Sequence, residues 1–524
     1  MNTADLDMWE RVRRYAVPRS MIERAAERRA AGDWRGACEA AGIRVHLRLG
    51  RIRRNHGREI AEAVEEDLLH LVPDLVRWHL PRRRTAGRYG GRGLVDPYHQ
   101  LALAAYPQDG ARKSLWLSAP RPPRESWRLT LAFGGGVTNR DWSGLRCLWD
   151  DRRTAGLLAL EGGRDRAPFF EPDGRVRDAG LLPRGDPGPA DPAARAEWIT
   201  LLQEQGRLDE AATAVAGLAG ILAADVATAK GWFRAVPWAA HKLGPALVRL
   251  LEAEPSGRLR LGYSTDHHGP TVSLAEDGGL RFAEYDRRTP EVATAWWHAS
   301  PDLALVRAGR LTPEDLHPLV SRTLFPARAV PEGPTGPRPP RPPVPAKIRC
   351  RGETHEVWFE NGELRTPGHT AQERQREDAL AAFGGTVTGC FAVPRVWDDV
   401  RNPVPRELQE QCEELFSRME HGDAEGVLRM LELGHDPAAR YAPPHVPHGE
   451  APSGMYPRRA NPFLPAPVPY RHLALADLLP MHLALHKWPP SFRPLAAALG
   501  VRPPLVRGPQ GAGVRGQDGG GSSG

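Results

Sequence analysis

Asp266-His267-His268 puts a carboxylate beside two imidazoles, between two runs that read as strands. Such a trio can hold a metal or pass protons, but metal sites add ligands at a known spacing, and no H-E-x-x-H helix is present. The trio is therefore expected to be ordinary loop. Five cysteines (Cys38, Cys147, Cys350, Cys390 and Cys412) lie far apart, odd in number and without a C-x-x-C pair. That pattern gives neither a disulfide framework nor a recognisable zinc spacing. Ser143-Gly144 follows Trp142 without the glycine that a nucleophile elbow needs. No catalytic, cofactor-binding or metal residue is assigned, no cofactor is expected, and the balance leans away from an enzyme.

Two glycine-rich turns have an anion-cradle look. Phe133-Gly134-Gly135-Gly136-Val137-Thr138 recurs as Phe383-Gly384-Gly385-Thr386-Val387-Thr388, followed respectively by Trp149-Asp150-Asp151 and Trp397-Asp398-Asp399. Neither copy carries the Gly-Lys-Ser/Thr of a P-loop or a dinucleotide fingerprint. They are expected to be tight turns, and to mark two copies of one small unit. The basic clusters Arg48 to Arg58 and Arg82 to Arg92 are candidates for phosphate contacts. Glu62, Glu65, Glu66 and Asp67 lie between them and offset much of the field, so nucleic-acid binding is a weaker alternative and such a partner is not expected.

Positioning any of these residues falls to a chain of 524 residues, 41% hydrophobic and 26% charged, with 54 Gly and 52 Pro. Those values allow several folded regions joined by loops. The net charge of +7 is a mild excess over so long a chain, and nearly all of it is arginine. MNTADLDMWERVRR lacks the apolar stretch of a signal peptide, and no run of about 18 apolar residues spans a bilayer. A cytoplasmic protein with no membrane partner is expected.

The periodicity predicts an α+β multidomain chain. Residues 1–95 read as helical, with Pro73 kinking or splitting the stretch Ile60 to His79. Residues 96–185 read as β-rich, with strands at Leu101 to Ala105, Ser114 to Ser118 and Trp127 to Phe133. Residues 193–330 read as α+β, with strands at Leu259 to Tyr263 and Thr271 to Leu274, then Asp277-Gly278-Gly279 turning into Leu280 to Phe282. A helix is expected over Pro290 to His298. Gly32-Asp33 and Gly206-Arg207 each break a helical pair, loosely like tetratricopeptide repeats. The Pro-rich stretch 331–346 reads as a linker. Residues 347–400 offer a hairpin at Asn361-Gly362 and a charged helix from Ala371 to Phe383, with the second glycine turn.

The C-terminal third carries the one family likeness. Leu415 to Arg440 reads as helix, His421-Gly422-Asp423, helix, Leu433-Gly434, then His435-Asp436-Pro437. Further on come Pro480-Met481-His482-Leu483-Ala484 and Ala497-Ala498-Leu499-Gly500. This order resembles the ankyrin repeat, and the whole chain resembles long ankyrin-containing proteins of high-GC bacteria. The likeness covers residues 401–505, ahead of a tail at 506–524 expected to be disordered. It implies an intracellular docking module for another protein, with Asp436, Arg440 and His482 as candidate contacts. The proline-rich run after Arg440 fits either a long loop insertion or a frame change. A second reading makes residues 96–330 an enzyme or effector that the ankyrin segment targets. Partner identity and oligomeric state are not legible.

Overall fold

The computed structural model describes residues 1–83, 94–95, 100–108, 111–119, 128–135, 140–215, 218, 231–234, 236–264, 267–276, 278–329, 331–361, 363–366, 368–394 and 405–436. It is a mixed helix-and-sheet structure with two hydrophobic cores, a large one between Met8 and Phe325 and a small one between Ala346 and Met430.

The N-terminal stretch folds as α1 (Thr3–Tyr15), α2 (Arg19–Ala30), α3 (Trp34–Ala40), α4 (Leu49–His56), α5 (Arg58–Leu69) and α6 (Pro73–His79). Pro73 splits the last two, opening α6 where its missing N–H is harmless. A short strand that the periodicity did not reveal, β1 (Ile43–Val45), follows α3, and after α6 come two short antiparallel strands, β2 (Arg82–Arg83) and β3 (Leu94–Val95).

Two four-stranded units of the same topology follow. The first uses β4 (Gln100–Gln108), β5 (Ala111–Ser118), β6 (Leu129–Gly134) and β7 (Arg140–Asp141), in the order β6-β5-β4-β7 with β1 added parallel to β6. The second uses β8 (Arg258–Ser264), β9 (His267–Leu274), β10 (Leu280–Ala283) and β11 (Glu291–Val292), in the order β10-β9-β8-β11. In both, the fourth strand runs parallel to the first. A 3-10 turn then ends on a fully buried tryptophan, Trp149 in one unit and Trp297 in the other. Each tryptophan carbonyl accepts from a backbone N–H at 2.8 Å, Val72 and Ala239 respectively. Isolated bridges Leu71 to Asp150 and Trp238 to His298 complete the equivalence. The chain is internally duplicated, and the duplication relates residues 70–153 to 237–300.

The duplication differs from the one expected of the glycine turns. Phe133-Gly134 ends a strand, while Phe383-Gly384 ends helix α13 (Ala371–Ala382), so the two copies occupy unlike settings. Trp397-Asp398-Asp399 lies outside the described residues. The helix expected over Pro290 to His298 is instead β11 and a 3-10 turn. That backbone sends adjacent tryptophans to different neighbours: Trp297 onto Trp232 at 4.9 Å, and Trp296 beneath Arg249 at 4.3 Å.

Between the two units lie α7 (Gly156–Leu160), α8 (Pro192–Glu204), α9 (Leu208–Thr213) and α10 (Ala240–Ala253); α11 (Pro301–Arg307) and α12 (Pro318–Leu324) follow the second. The Pro-rich segment bridges the two cores. Arg338 pairs with Asp315 at 2.7 Å on one side, and the Arg338 carbonyl accepts from Arg418 on the other.

The small core holds β12 (Ala346–Cys350), β13 (Glu353–Glu360), β14 (Glu363–Arg365), α13, α14 (Arg406–His421) and α15 (Ala424–Glu432). A two-residue loop joins Glu360 to Glu363, with Asn361 at φ +54°, as the Asn-Gly signal implies. Gly422 takes a left-handed φ of +81°, and the Asp423 carboxylate caps α15 by accepting from Gly426 N–H at 2.9 Å. Gly32-Asp33 repeats this device between α2 and α3, with the Asp33 carboxylate accepting from Gly36 N–H at 2.8 Å. Among the described residues, no helix is long and apolar enough to cross a membrane.

Candidate metal centre

Cys350, His355, His369 and Cys390 converge in the small core, with their ligand atoms all within 4.8 Å of one another. Each comes from a different piece of backbone. Cys350 ends β12, and the Arg351-Gly352 turn carries the chain into β13, where His355 sits. His369 precedes the N-cap of α13, Thr370, and Cys390 lies in a 3-10 turn after that helix.

His355 Nδ1 and His369 Nε2 are 2.9 Å apart, and Cys390 Sγ is 3.6 Å from His355 Nδ1. A tetrahedral zinc ion with Zn–N of about 2.0–2.1 Å and Zn–S of about 2.3 Å needs N–N and N–S edges of roughly 3.4 and 3.6 Å. The sulfur–nitrogen edge matches. The two ring nitrogens, here sharing a hydrogen bond, need to part by only about 0.5 Å.

The second layer is in place as well. With His355 ligating through Nδ1, its Nε2 faces Glu353 at 3.5 Å. With His369 ligating through Nε2, its Nδ1 faces Glu373 at 3.9 Å. A carboxylate behind each imidazole fixes its tautomer and strengthens it as a ligand. His369 Nδ1 is otherwise a buried nitrogen without a hydrogen-bond partner among the described residues. Glu373 is itself anchored by accepting from Thr370 N–H at 2.8 Å in the capping box of α13.

Two glycines allow the close approach. A Cβ on Gly389, which has φ +62°, would come 2.6 Å from Cys350 Sγ, and one on Gly368 would come 2.7 Å from His355 Nδ1. Phe391 covers the outer face of His369 with ring centroids 4.2 Å apart.

Burial and the adjacent His355 lower the His369 pKa, favouring the neutral imidazole that a metal needs. Burial, then the neighbouring Cys350, pushes the Cys390 thiol up to about 11. Two thiols held together in the same shell repel as thiolates, and a divalent cation between them removes that penalty. Cys38 and Cys147 are also buried, and burial pushes each up to about 12, but neither joins a cluster of ligands among the described residues.

The sequence pattern is C-x4-H-x13-H-x20-C, which contains no short paired motif, so a search for C-x-x-C passes over it. The cysteine spacing led to no expectation of metal ligands, whereas the geometry brings together four residues that could hold a metal ion. The available signal was weaker: Cys350-Arg351-Gly352 and Gly389-Cys390 each put a cysteine against a glycine turn.

The other sequence-derived candidates are not brought together. Asp266 lies outside the described residues, while His267 and His268 open β9 instead of lying in a loop. Arg82 is buried in the large core, away from the exposed Arg51, Arg53 and Arg54 of α4, and so cannot extend a basic face with them. Asp436 lines an open groove of about 380 Å³ with Glu356, Trp358, Phe359, Leu415 and His435. Arg440 and His482 lie outside the described residues. Comparison of the chain with protein families, curated proteins and solved structures returns no match.

Proposed function

We propose that this chain is a zinc-binding docking protein, in which a Cys2His2 centre holds the small C-terminal core in shape for binding another protein. The observation that carries the zinc assignment is the convergence of four ligand atoms within 4.8 Å from four separate backbone segments. Two soft sulfurs and two imidazoles are a donor set that suits zinc. Four protein ligands leave no open position for substrate, so the centre is structural.

Docking is supported by the ankyrin-like order of α14, Gly422-Asp423 and α15, and by the groove beside it. Asp436, a candidate contact from that likeness, lines the groove with Glu356 at an apolar floor of Trp358, Phe359 and Leu415. Two carboxylates beside aromatic surface suit a peptide segment of another protein that combines a basic side chain with apolar ones.

One experiment tests both parts. Metal content of the purified full chain is measured by mass spectrometry, then the chain selects peptides from a randomised library. The expected result is one zinc per chain, and enrichment of basic–apolar peptides that chelation or Asp436→Lys abolishes. Undiminished zinc in the Cys350→Ser, Cys390→Ser double variant overturns the centre. Enrichment indifferent to peptide charge or to Asp436→Lys overturns the docking groove.

A further inference from the structure

The large core holds a partly open cavity of about 70 Å³, lined by apolar and charged side chains, that the candidate metal centre does not touch. It lies where the duplicated units meet α1, and its walls include Arg13, His79, Arg82, Glu161, Lys242 and Asp302. At roughly 10–15 Å³ for each water, that is room for about five waters, or for one small polyatomic group.

The charges in the wall do not cancel. Arg13 is engaged by Asp302, at 2.5 Å, and Lys242 by Glu161, at 3.1 Å. Both pairs are buried, and further contacts lock the first: Arg13 donates to the Trp78 carbonyl at 2.6 Å, and Trp78 Nε1 donates to Asp302 at 3.2 Å. Arg82 has no such carboxylate among the described residues. It is only 7% exposed and donates through one terminal nitrogen to the Arg77 carbonyl at 2.9 Å, while its Nε finds no partner among the described residues. His79 Nε2 is likewise buried without a partner there.

We propose that this cavity binds a small oxyanion, a carboxylate or phosphate group, seated on Arg82 and His79. A guanidinium presents parallel donors that match the two oxygens of such a group. Neutral His79 supplies one more N–H, and the Lys242–Glu161 and Arg13–Asp302 pairs close the walls. Burial together with the repulsion of Arg77 and Arg13 lowers the pKa of Arg82 well below its ordinary value. An anion in the cavity reverses that penalty.

A neighbouring cleft has the matching sign. On the other flank of Lys242 and Leu160 opens a cleft of about 860 Å³, lined by Arg146, Arg152, Arg153 and Arg249. Arg146 and Arg152 are held by Asp67 and Asp150, but among the described residues no carboxylate lines the cleft itself. A concave basic wall of this kind concentrates anions beside Lys242, which lines both spaces.

The test uses the full chain in titration calorimetry with inorganic phosphate and with acetate, at constant ionic strength set by chloride. The expected result is saturable binding of at least one of them, weakened at least tenfold by Arg82→Met and at least threefold by His79→Gln. Phosphate binding alone assigns a phosphate group, and acetate binding alone assigns a carboxylate. No saturable heat from either probe overturns the proposal. So does binding that both variants leave unchanged. Thermal unfolding of each variant in chloride alone establishes that it is folded, and His79→Gln decides the matter if Arg82→Met is not.

Discussion

Removing one zinc ligand, by Cys390→Ser, is the sharpest probe of the small core. Structural zinc sites in finger peptides release about 10–16 kcal/mol on binding at neutral pH. Shared over Cys350, His355, His369 and Cys390, that is about 2.5–4 kcal/mol per ligand. At about 1.4 kcal/mol for each factor of ten, the variant should bind zinc about a hundred- to a thousandfold more weakly. The structure also says where the loss will appear. Cys350 and Cys390 belong to the same buried cluster as Val357, Leu415 and Phe416, and none of these is part of the large core. Under limiting zinc, amide hydrogen exchange should therefore accelerate in β12 and β13, while β4, β5 and β6 stay protected. Affinity is read by competition with a chromophoric chelator, and protection by mass spectrometry of the same samples. Wild-type affinity in the variant, or equal protection of β12 with and without chelator, would refute the reasoning.

Two further expectations concern the large core. Glu291 is 9% exposed in its side chain and holds Arg140 of the first unit, at 2.6 Å across the seam, together with Arg260 of its own unit, at 2.8 Å. Glu291→Gln leaves buried Arg140 without its counter-charge and should destabilise the large core by about 3–5 kcal/mol, seen as a lower urea midpoint; an unchanged midpoint would contradict the pairing. Burial lowers the His298 pKa from 6.5 to about 3. The folded value lies below the unfolded one, so the unfolded chain takes up the proton first. Stability from this group is full above about pH 6.5 and falls as pH drops toward about 3. At pH 4.5 the loss is about 3 kcal/mol, at about 1.4 kcal/mol per unit below 6.5. His298→Gln should flatten that dependence in denaturation midpoints measured from pH 7 to 4.5, and an unaltered slope would count against it.

Local features were legible because their causes are local. Pro73 divides a helix wherever it stands, Asn361 turns a hairpin through its own left-handed backbone, and Gly422-Asp423 ends one helix and caps the next. Features set by distant pairing were not. Ile43 to Val45 becomes a strand only because it lies parallel to Leu129 to Leu131. The run through Trp296-Trp297 has helical spacing but is taken up by Leu261 on β8 and by Trp232. The duplication escaped because it is conserved in strand order and in backbone hydrogen bonds to Trp149 and Trp297, while the copied Phe-Gly-Gly string pointed elsewhere. The proposed metal ligands escaped for the same reason: four residues on four segments are neighbours only after β12, β13 and α13 have packed. The capping device between α14 and α15 also occurs between α2 and α3, so that signal marks a helix pair more surely than it marks a repeat family.

The contact between α1 and α14 ties the first folded helix to one near the end of the described chain. Arg11 pairs with Glu413 across 402 residues, Arg24 pairs with Glu425, and the buried Arg418 guanidinium lies 5.2 Å from the Tyr15 ring centroid. At roughly 5–20 residues per second, a ribosome releases α1 about 20–80 s before α14 exists. For that interval the nascent chain carries Tyr15 and its neighbours without their cover. The vulnerable species in the cell is thus the growing polypeptide, until the small core has left the ribosome and closed over the helix made at its own beginning.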